Sequence, residues 1–431
     1  MTDDPDGASG PGSSEPAPVS FLAGRRDDLA ATTLDLVGVD TRNPPGETRA
    51  AAAVVEEWFA DLGVETERVA PDAAKPNVLA TVPGTADRTL LYNGHLDTVP
   101  FDRAAWSRDP LGERDGDRVY GRGATDMKGA VAAMLWTARA FVETDTRPPL
   151  DLAFAFVSDE ETGGDAGLAA LVARDALAAD ACVIGETTCE QGRHSVTAAD
   201  RGSVWLTLAA EGEAAHGSRP VLGVNAIDRL YAAVERLRSE FGERELSLDP
   251  DVEALVAESV AYYAPTMGEA AARDLFATPS INLGTIEGGE AVNAVPSSAR
   301  ARVDVRLSPG VYTPDLIADL RECVDSCEGI VVADLSWSIG TYEPPDSPLV
   351  DATVSAAEDV TGERVYRRAA TGGGDAKKLR NAGIPTVEFG LGTDTAHAPD
   401  EYTTLDALAG NAAVYTRLPA ELADRFEAGP E

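Results

Sequence analysis

The sequence predicts an α/β fold, a mainly parallel sheet flanked by helices with a smaller α+β domain inserted into it. Three observations carry that expectation. Apolar β-like runs (Asn77–Val82, Thr89–Tyr92, Leu150–Val157, Ala181–Ile184) alternate with helical stretches through the first part of the chain. Those runs are nearly continuous in apolar residues, as strands covered on both faces are. After about His194 the texture changes. In Ala299–Leu307 the residues Ala299, Ala301, Val303, Val305 and Leu307 face one way and Arg300, Arg302, Asp304 and Arg306 the other, the pattern of a half-exposed antiparallel strand.

Taken in order, residues 1–18 are Gly, Pro, Ser and acid, cannot bury a face, and read as a mobile acidic tail. Phe21–Val39 has the apolar spacing of one helix, stopped by Asn43-Pro44-Pro45-Gly46. Met127–Val142 is helical, with Val131, Met134, Leu135, Ala138 and Phe141 on one stripe. Residues 19–194 form the first part of the main domain and 195–341 the insert. The insert holds a strand at Ser203–Ala209, a loop at Gly212–Pro220, a helix at Asn225–Phe241, an acidic and weakly helical stretch at Glu245–Asp274, a helix at Thr313–Val324 and a strand at Ile330–Ile339. Glu343-Pro344-Pro345 marks the return, residues 342–431 complete the main domain, and Gly383–Gly390 resumes its sheet.

Composition narrows the function. The 431 residues carry 36 Lys+Arg against 73 Asp+Glu, a formal net charge of −37. Such a surface cannot neutralise a run of phosphates, so no nucleic-acid partner is expected, and an anionic membrane would repel it. Hydrophobic residues make up 44%, enough for a sizeable core rather than a disordered chain. Only four lysines occur (Lys75, Lys128, Lys377, Lys378), and a Lys-poor, acid-rich surface suggests a cytosol of high salt, a halophile's. The N-terminal MTDDPDG lacks a basic segment followed by an apolar one, and no run of about 18 apolar residues exists. A cytoplasmic protein is therefore expected. Cys182, Cys189, Cys323 and Cys327 contain no C-x-x-C and read as reduced thiols, neither a zinc ribbon nor a disulfide framework.

Among so many acids a single carboxylate says little, but only four histidines occur: His95, His194, His216 and His397. His95 follows an apolar strand in Gly94-His95-Leu96-Asp97, and in extended chain His95 and Asp97 point to the same side, so the Asp97 carboxylate can hold the imidazole in one tautomer. Asp126 precedes the Met127 helix, where it can also serve as an N-cap. Asp159-Glu160-Glu161 stand at the mouth of Leu150–Val157 and repel one another unless a cation compensates them. Glu186 follows Ala181–Ile184, and His397 lies past the Gly383–Gly390 strand. All of these follow the carboxyl ends of expected strands, the edge where open α/β sheets bind ligands. Two His and three carboxylates (Asp126, Glu161, Glu186) suit two Zn²⁺, with Asp126 bridging and room left for a hydroxide. Glu160 would stay unliganded, as a base.

The ordered motifs GHLDTVP (94–100), GRGATDMKG (121–129), DEETGG (159–164), GET (185–187), AAHGSRP (214–220), GVNAI (223–227), GG…NAVP (288–296), VDVR (303–306), TGGGDA (371–376) and AHAPDE (396–401) make the chain resemble the zinc aminoacylase/carboxypeptidase family of metallohydrolases, from about residue 25 to 420. The resemblance implies a catalytic domain of zinc-peptidase type with an inserted lid and dimerisation domain, hence a homodimer. It implies two divalent ions, Zn foremost and Co or Mn as alternatives. One would be held by His95, Asp126 and Glu186, the other by Asp126, Glu161 and His397. Asp97 would support His95 and Glu160 would act as general base. His216 would lean from the lid into an active site, often the partner subunit's, and Asn293, Arg306 and Gly373 would line the substrate site. His194 matches no motif and reads as structural. Thr187 stands where the family usually has proline, and the Thr371–Asp375 loop differs from that of the desuccinylases.

The expected reaction is hydrolysis of the amide bond of an N-acetyl or N-succinyl amino acid. A carboxypeptidase or dipeptidase acting on short peptides is the alternative substrate reading, and a catalytically silent metal-binding scaffold the non-enzyme one.

Overall fold

The computed structural model describes residues 15–428. They divide into two units: one takes in the chain up to Thr162 and from Leu391 onward, the other Gly163–Gly390. The opening 1–14 of the expected tail lies outside the described residues, and from Ala17 the chain is helical.

The first unit begins with α1 (Ala17–Leu22), α2 (Arg26–Val37) and α3 (Arg49–Asp61). The single helix expected over Phe21–Val39 is thus two, because Ala23 leaves helical geometry and Gly24 takes φ +82°, which a side chain would resist. Strands β1 (Thr66–Val69), β2 (Asn77–Val82) and β3 (Thr89–His95) follow, then β4 (Glu113–Asp115), β5 (Arg118–Tyr120), helix α4 (Lys128–Glu143) and β6 (Asp151–Val157). β1 pairs antiparallel with β2 and β2 antiparallel with β6, while β6 runs parallel to β3. The apolar stripe of α4 is buried as expected, and so is most of the rest of the helix, since α2 packs on it as well as the sheet.

The second unit opens with α5 (Leu168–Ala173), β7 (Ala181–Ile184), β8 (His194–Asp200) and β9 (Gly202–Glu211). Next come α6 (Ala226–Phe241), α7 (Pro250–Met267), α8 (Glu269–Ala277), β10 (Ser280–Gly288), β11 (Ser298–Leu307), α9 (Thr313–Asp325) and β12 (Ile330–Ser338). It closes with α10 (Pro348–Thr361), β13 (Val365–Ala370), α11 (Asp375–Asn381) and β14 (Thr386–Glu388). β7 pairs in parallel with β14, and β8 in parallel with β13. β10, β11, β9 and β12 form a separate antiparallel sheet that starts only at Gly202, so residues 195–200 belong with the parallel strands. The alternation of β11 is realised: Ala299, Ala301, Val303, Val305 and Leu307 are buried against α6 and α9. Asn225 starts α6 as an N-cap, its side chain accepting from the Ile227 and Asp228 amides. The acidic 245–274 stretch is more helical than its composition suggests, because Val252, Leu255, Val260, Tyr262 and Tyr263 give α7 a face to bury.

The chain re-enters the first unit through a loop that carries His397, then β15 (Tyr402–Thr404) and α12 (Leu405–Ala428), which packs on α2 and α4. Mostly parallel strand pairs with helices, beside a separate antiparallel sheet, make this an α/β fold. No helix among the described residues is long and apolar enough to cross a membrane.

Candidate metal centre

The parallel pairing of β3 with β6 sets His95 opposite Val157, so the two strands end together. The loops that leave them are Leu96–Pro100 and Ser158–Thr162. The buried His95 ring has its Nδ1 2.9 Å from the Asp97 main-chain carbonyl and its Nε2 3.1 Å from Asp126 Oδ1. The carbonyl takes the Nδ1 proton, which leaves Nε2 as the ligating nitrogen. The expected contact from the Asp97 carboxylate is made instead by its main-chain carbonyl: the nearest carboxylate oxygen is 3.7 Å from Nδ1. That carboxylate instead organises the acidic loop, accepting the Glu160 and Glu161 amides at 3.1 and 3.2 Å and Asn43 Nδ2 at 2.9 Å.

Asp126 makes no N-cap. The cap position of α4 is Met127, with no side-chain cap bond, and the Asp126 carboxylate turns toward two imidazoles. Oδ1 faces His95, and Oδ2 lies 3.0 Å from His397 Nε2. His397 Nε2 is also 3.2 Å from Glu161 Oε2, while the other Glu161 oxygen accepts the Val99 amide at 3.2 Å. The ligand atoms of Asp126, Glu161 and His397 lie within 4.8 Å of one another.

The electrostatics match the geometry. Hydrogen bonds to Asp126 and then Glu161 push the half-exposed His397 imidazole up to about 10. Burial alone would raise the Asp126 carboxyl, but the hydrogen bonds from His397 and His95 outweigh it and hold it well below the usual carboxylate range. The cluster therefore holds positive charge where a cation would sit. Two imidazole nitrogens and the carboxylates of Asp126, shared between them, and Glu161 are donors that Zn²⁺, Co²⁺ and Mn²⁺ all accept, so the residues fit such ions.

The repulsion expected among Asp159, Glu160 and Glu161 is relieved by different partners. Buried Asp159 is paired with Lys75 and accepts from Asn43 Nδ2 at 2.9 Å and Thr162 Oγ1 at 3.1 Å. Glu161 faces His397. Glu160 is half-buried beside them.

The remaining expected site residues lie in the second unit. Glu186 is half-buried just beyond β7. His216 and Asn293 are exposed and adjacent, the Gly217 amide donating to the Asn293 carbonyl at 2.6 Å, and His216 Nδ1 is 2.8 Å from Ser218 Oγ. Arg306 is half-buried on β11, its Nε donating to Asp304 at 2.8 Å and its guanidinium 5.9 Å from the Trp205 ring. A side chain at Gly373 would come within 2.8 Å of Lys377 Nζ, which donates to the Arg201 carbonyl. Arg201 donates in turn to the Arg306 carbonyl at 3.1 Å, so Gly373 and Arg306 share a neighbour. His194 has Cys189 Sγ at 3.1 Å from Nδ1 and Glu363 at 3.4 Å from Nε2. No disulfide joins the cysteines.

Sequence reasoning passed over Lys75, Asn43, Arg122 and Glu401, all of which hold this centre's loops. Glu401 ends the AHAPDE motif, but one more acid in so acidic a chain carries no distinguishing signal.

The chain is similar to acetylornithine deacetylase of Edwardsiella ictaluri, 32% identical over 375 residues that span 84% of this chain and 88% of that protein. It is 31% identical over 403 residues to succinyl-diaminopimelate desuccinylase of Cereibacter sphaeroides, spanning 91% of this chain and 98% of the relative. In fold it is similar to an M20 family metallo-carboxypeptidase from Sulfolobus solfataricus, with a TM-score of 0.77 at 21% identity over 92% of this chain and 100% of that one. A dinuclear metal-binding M20 peptidase from Bacillus subtilis superimposes with a TM-score of 0.65 at 14% identity, over 93% and 99% of the two chains. Fold, site and likeness together define a metal-dependent hydrolase of amide or peptide bonds. The chain belongs to Peptidase family M20/M25/M40, matched over residues 91–421.

Proposed function

We propose that this amidohydrolase removes the acyl group from N-acetyl or N-succinyl amino acids. The observation that carries the reading is the division of the Asp126 carboxylate between His95 and His397, with Glu161 beside it. The names of the two curated relatives support the acyl-amino-acid substrate.

His95, Asp126 and Glu186 would hold one divalent ion and Asp126, Glu161 and His397 a second, Zn²⁺ foremost and Co²⁺ or Mn²⁺ as alternatives. When bound, such ions acidify water and polarise the amide carbonyl. Glu160, next in the chain to Glu161 and taking no part in the ligand set, accepts a proton from the attacking water and passes it to the leaving nitrogen. Asp97 keeps His95 in the tautomer that presents Nε2. His216 donates to the developing oxyanion, in a homodimer from the neighbouring copy. Arg306, its Nε already held by Asp304, grips a substrate carboxylate with its terminal nitrogens, while Asn293 and the Gly373 loop border the substrate.

The test is a panel of acetyl- and succinyl-amino acids and dipeptides, assayed with added Zn²⁺ or Co²⁺ in high salt. Metal-dependent release of acetate or succinate is expected. Turnover confined to dipeptides or C-terminal residues would make the protein a dipeptidase or carboxypeptidase, and a metal-replete chain inert on the whole panel would overturn the acyl-amino-acid reading.

A further inference from the structure

We infer that the buried Arg122–Glu401 pair positions the two loops that carry Asp126 and His397, an inference that rests on the metal reading above. Glu401 lies just before β15 and is fully buried, and Arg122 is nearly so. Glu401 Oε1 accepts three main-chain amides, those of Gly123, Thr125 and Asp126, each at 3.1 Å. Its Oε2 is paired with Arg122 Nη1. Arg122 Nη2 then donates to the His397 carbonyl at 3.2 Å. The Gly121 amide closes the ring on the Glu401 carbonyl at 2.9 Å.

The 121–126 loop folds its amides inward on one point, with Gly121 and Gly123 at φ +148° and +89°. Converging amides make a pocket of positive potential that an anion fills better than a neutral group. One end of this network reaches the amide of Asp126 and the other the carbonyl of His397. His397 is half-exposed, so packing does little to hold its ring, and its place depends on where its backbone is tied. A metal-ligating constellation tolerates errors of only about 0.5 Å. Arg122 and Glu401 offer no side-chain atom to a metal here; they set the spacing of groups that do. Arg122 is held in turn by the Trp106 ring, 5.3 Å from its guanidinium carbon.

The experiment uses the full chain as wild type, Glu401→Ala, Glu401→Gln and Arg122→Gln, with Co²⁺ as the probe. Co²⁺ affinity, the visible absorption of the Co²⁺-loaded protein and the Tm of the metal-free protein are measured. Co²⁺ affinity is expected to fall about 10- to 100-fold in Glu401→Ala, with a changed spectrum. Glu401→Gln should fall less, because its carboxamide oxygen still accepts amides, and Arg122→Gln should also weaken binding although it touches no ligand side chain. A purely structural pair would lower Tm in the metal-free protein yet leave affinity and spectrum as in wild type, and that outcome overturns the inference. If Glu401→Ala does not fold, the two glutamine variants decide by the same criteria. A wild-type chain that binds no Co²⁺ overturns the metal reading itself and this inference with it.

Discussion

Asp126 and His397 are far apart in the chain, yet Asp126 Oδ2 and His397 Nε2 stand 3.0 Å apart. In the metal-free protein that distance is a hydrogen bond, and it raises the imidazole from 6.5 in the unfolded chain to about 10. A group whose folded pKa is raised stabilises fully below its unfolded pKa and loses that contribution as pH rises through the folded one. The stability difference between metal-free wild type and His397→Gln should therefore be largest near pH 6 and shrink toward pH 10. His397 is half-exposed, so the effect is small, about 1 kcal/mol or less. Thermal melts of both proteins across that range check it, and a difference independent of pH would refute it.

The same proton competes with metal. Because His397 is protonated in the metal-free protein at neutral pH, metal binding should expel that proton. Calorimetric titration with Zn²⁺ in buffers of different ionisation enthalpy would show release of about one proton per ion at this site near pH 8. Heats that do not depend on the buffer would contradict the assignment of His397 as a ligand.

Glu160→Gln should reduce kcat by about 10²–10⁴-fold while leaving metal content unchanged, the signature of a lost general base. Elemental analysis beside steady-state kinetics checks both halves. A variant that keeps more than a small fraction of its activity removes Glu160 from the role.

Lys75 and Asp159 form a largely buried ion pair in which Asp159 is the deeper partner. Lys75→Met should cost about 3 kcal/mol, because it leaves the buried carboxylate without its cation. The double variant Lys75→Met/Asp159→Asn should recover most of that loss, since an asparagine oxygen still accepts from Asn43 and Asn tolerates the φ of +66° at this position. Chemical denaturation measures both. A double variant no better than the single one would show that charge is not what couples the pair.

The net charge of −37 sets the last expectation. The proposed substrates, anionic acyl-amino acids, would approach a chain whose overall field repels them, and salt screens that field within about 10 Å at 0.1 M. KM should fall as KCl rises, and the melting temperature should rise with it. A KM that is flat or increases with salt would count against the screening argument, and equal stability in dilute buffer and molar KCl against a high-salt habitat.

Much of this molecule was legible in its residues. The strict alternation of Ala299–Leu307 revealed the antiparallel sheet, because a strand with one wet face must alternate. The apolar runs Thr89–Tyr92 and Leu150–Val157 pointed to the strand ends that carry His95 and the Asp159–Glu161 loop, and the rarity of histidine made His95 and His397 stand out. The break at Gly24 was missed because the apolar spacing continues across it. The helices over 250–277 are stronger than the weak helicity read from composition, because α7 finds much of its stability in tertiary burial rather than in propensity.

By itself the sequence determined the α/β class, the family and the candidate donors, since these depend on local periodicity and on ordered motifs. Tertiary structure alone decided how the charges pair. It assigned Asp126 to two imidazoles instead of a helix cap, Asp159 to Lys75, and Glu401 to Arg122 and three amides. The physical reason is that a charge pair forms where loops distant in sequence converge. Among 73 acids, local sequence does not distinguish a buried, bonded carboxylate from a solvated one.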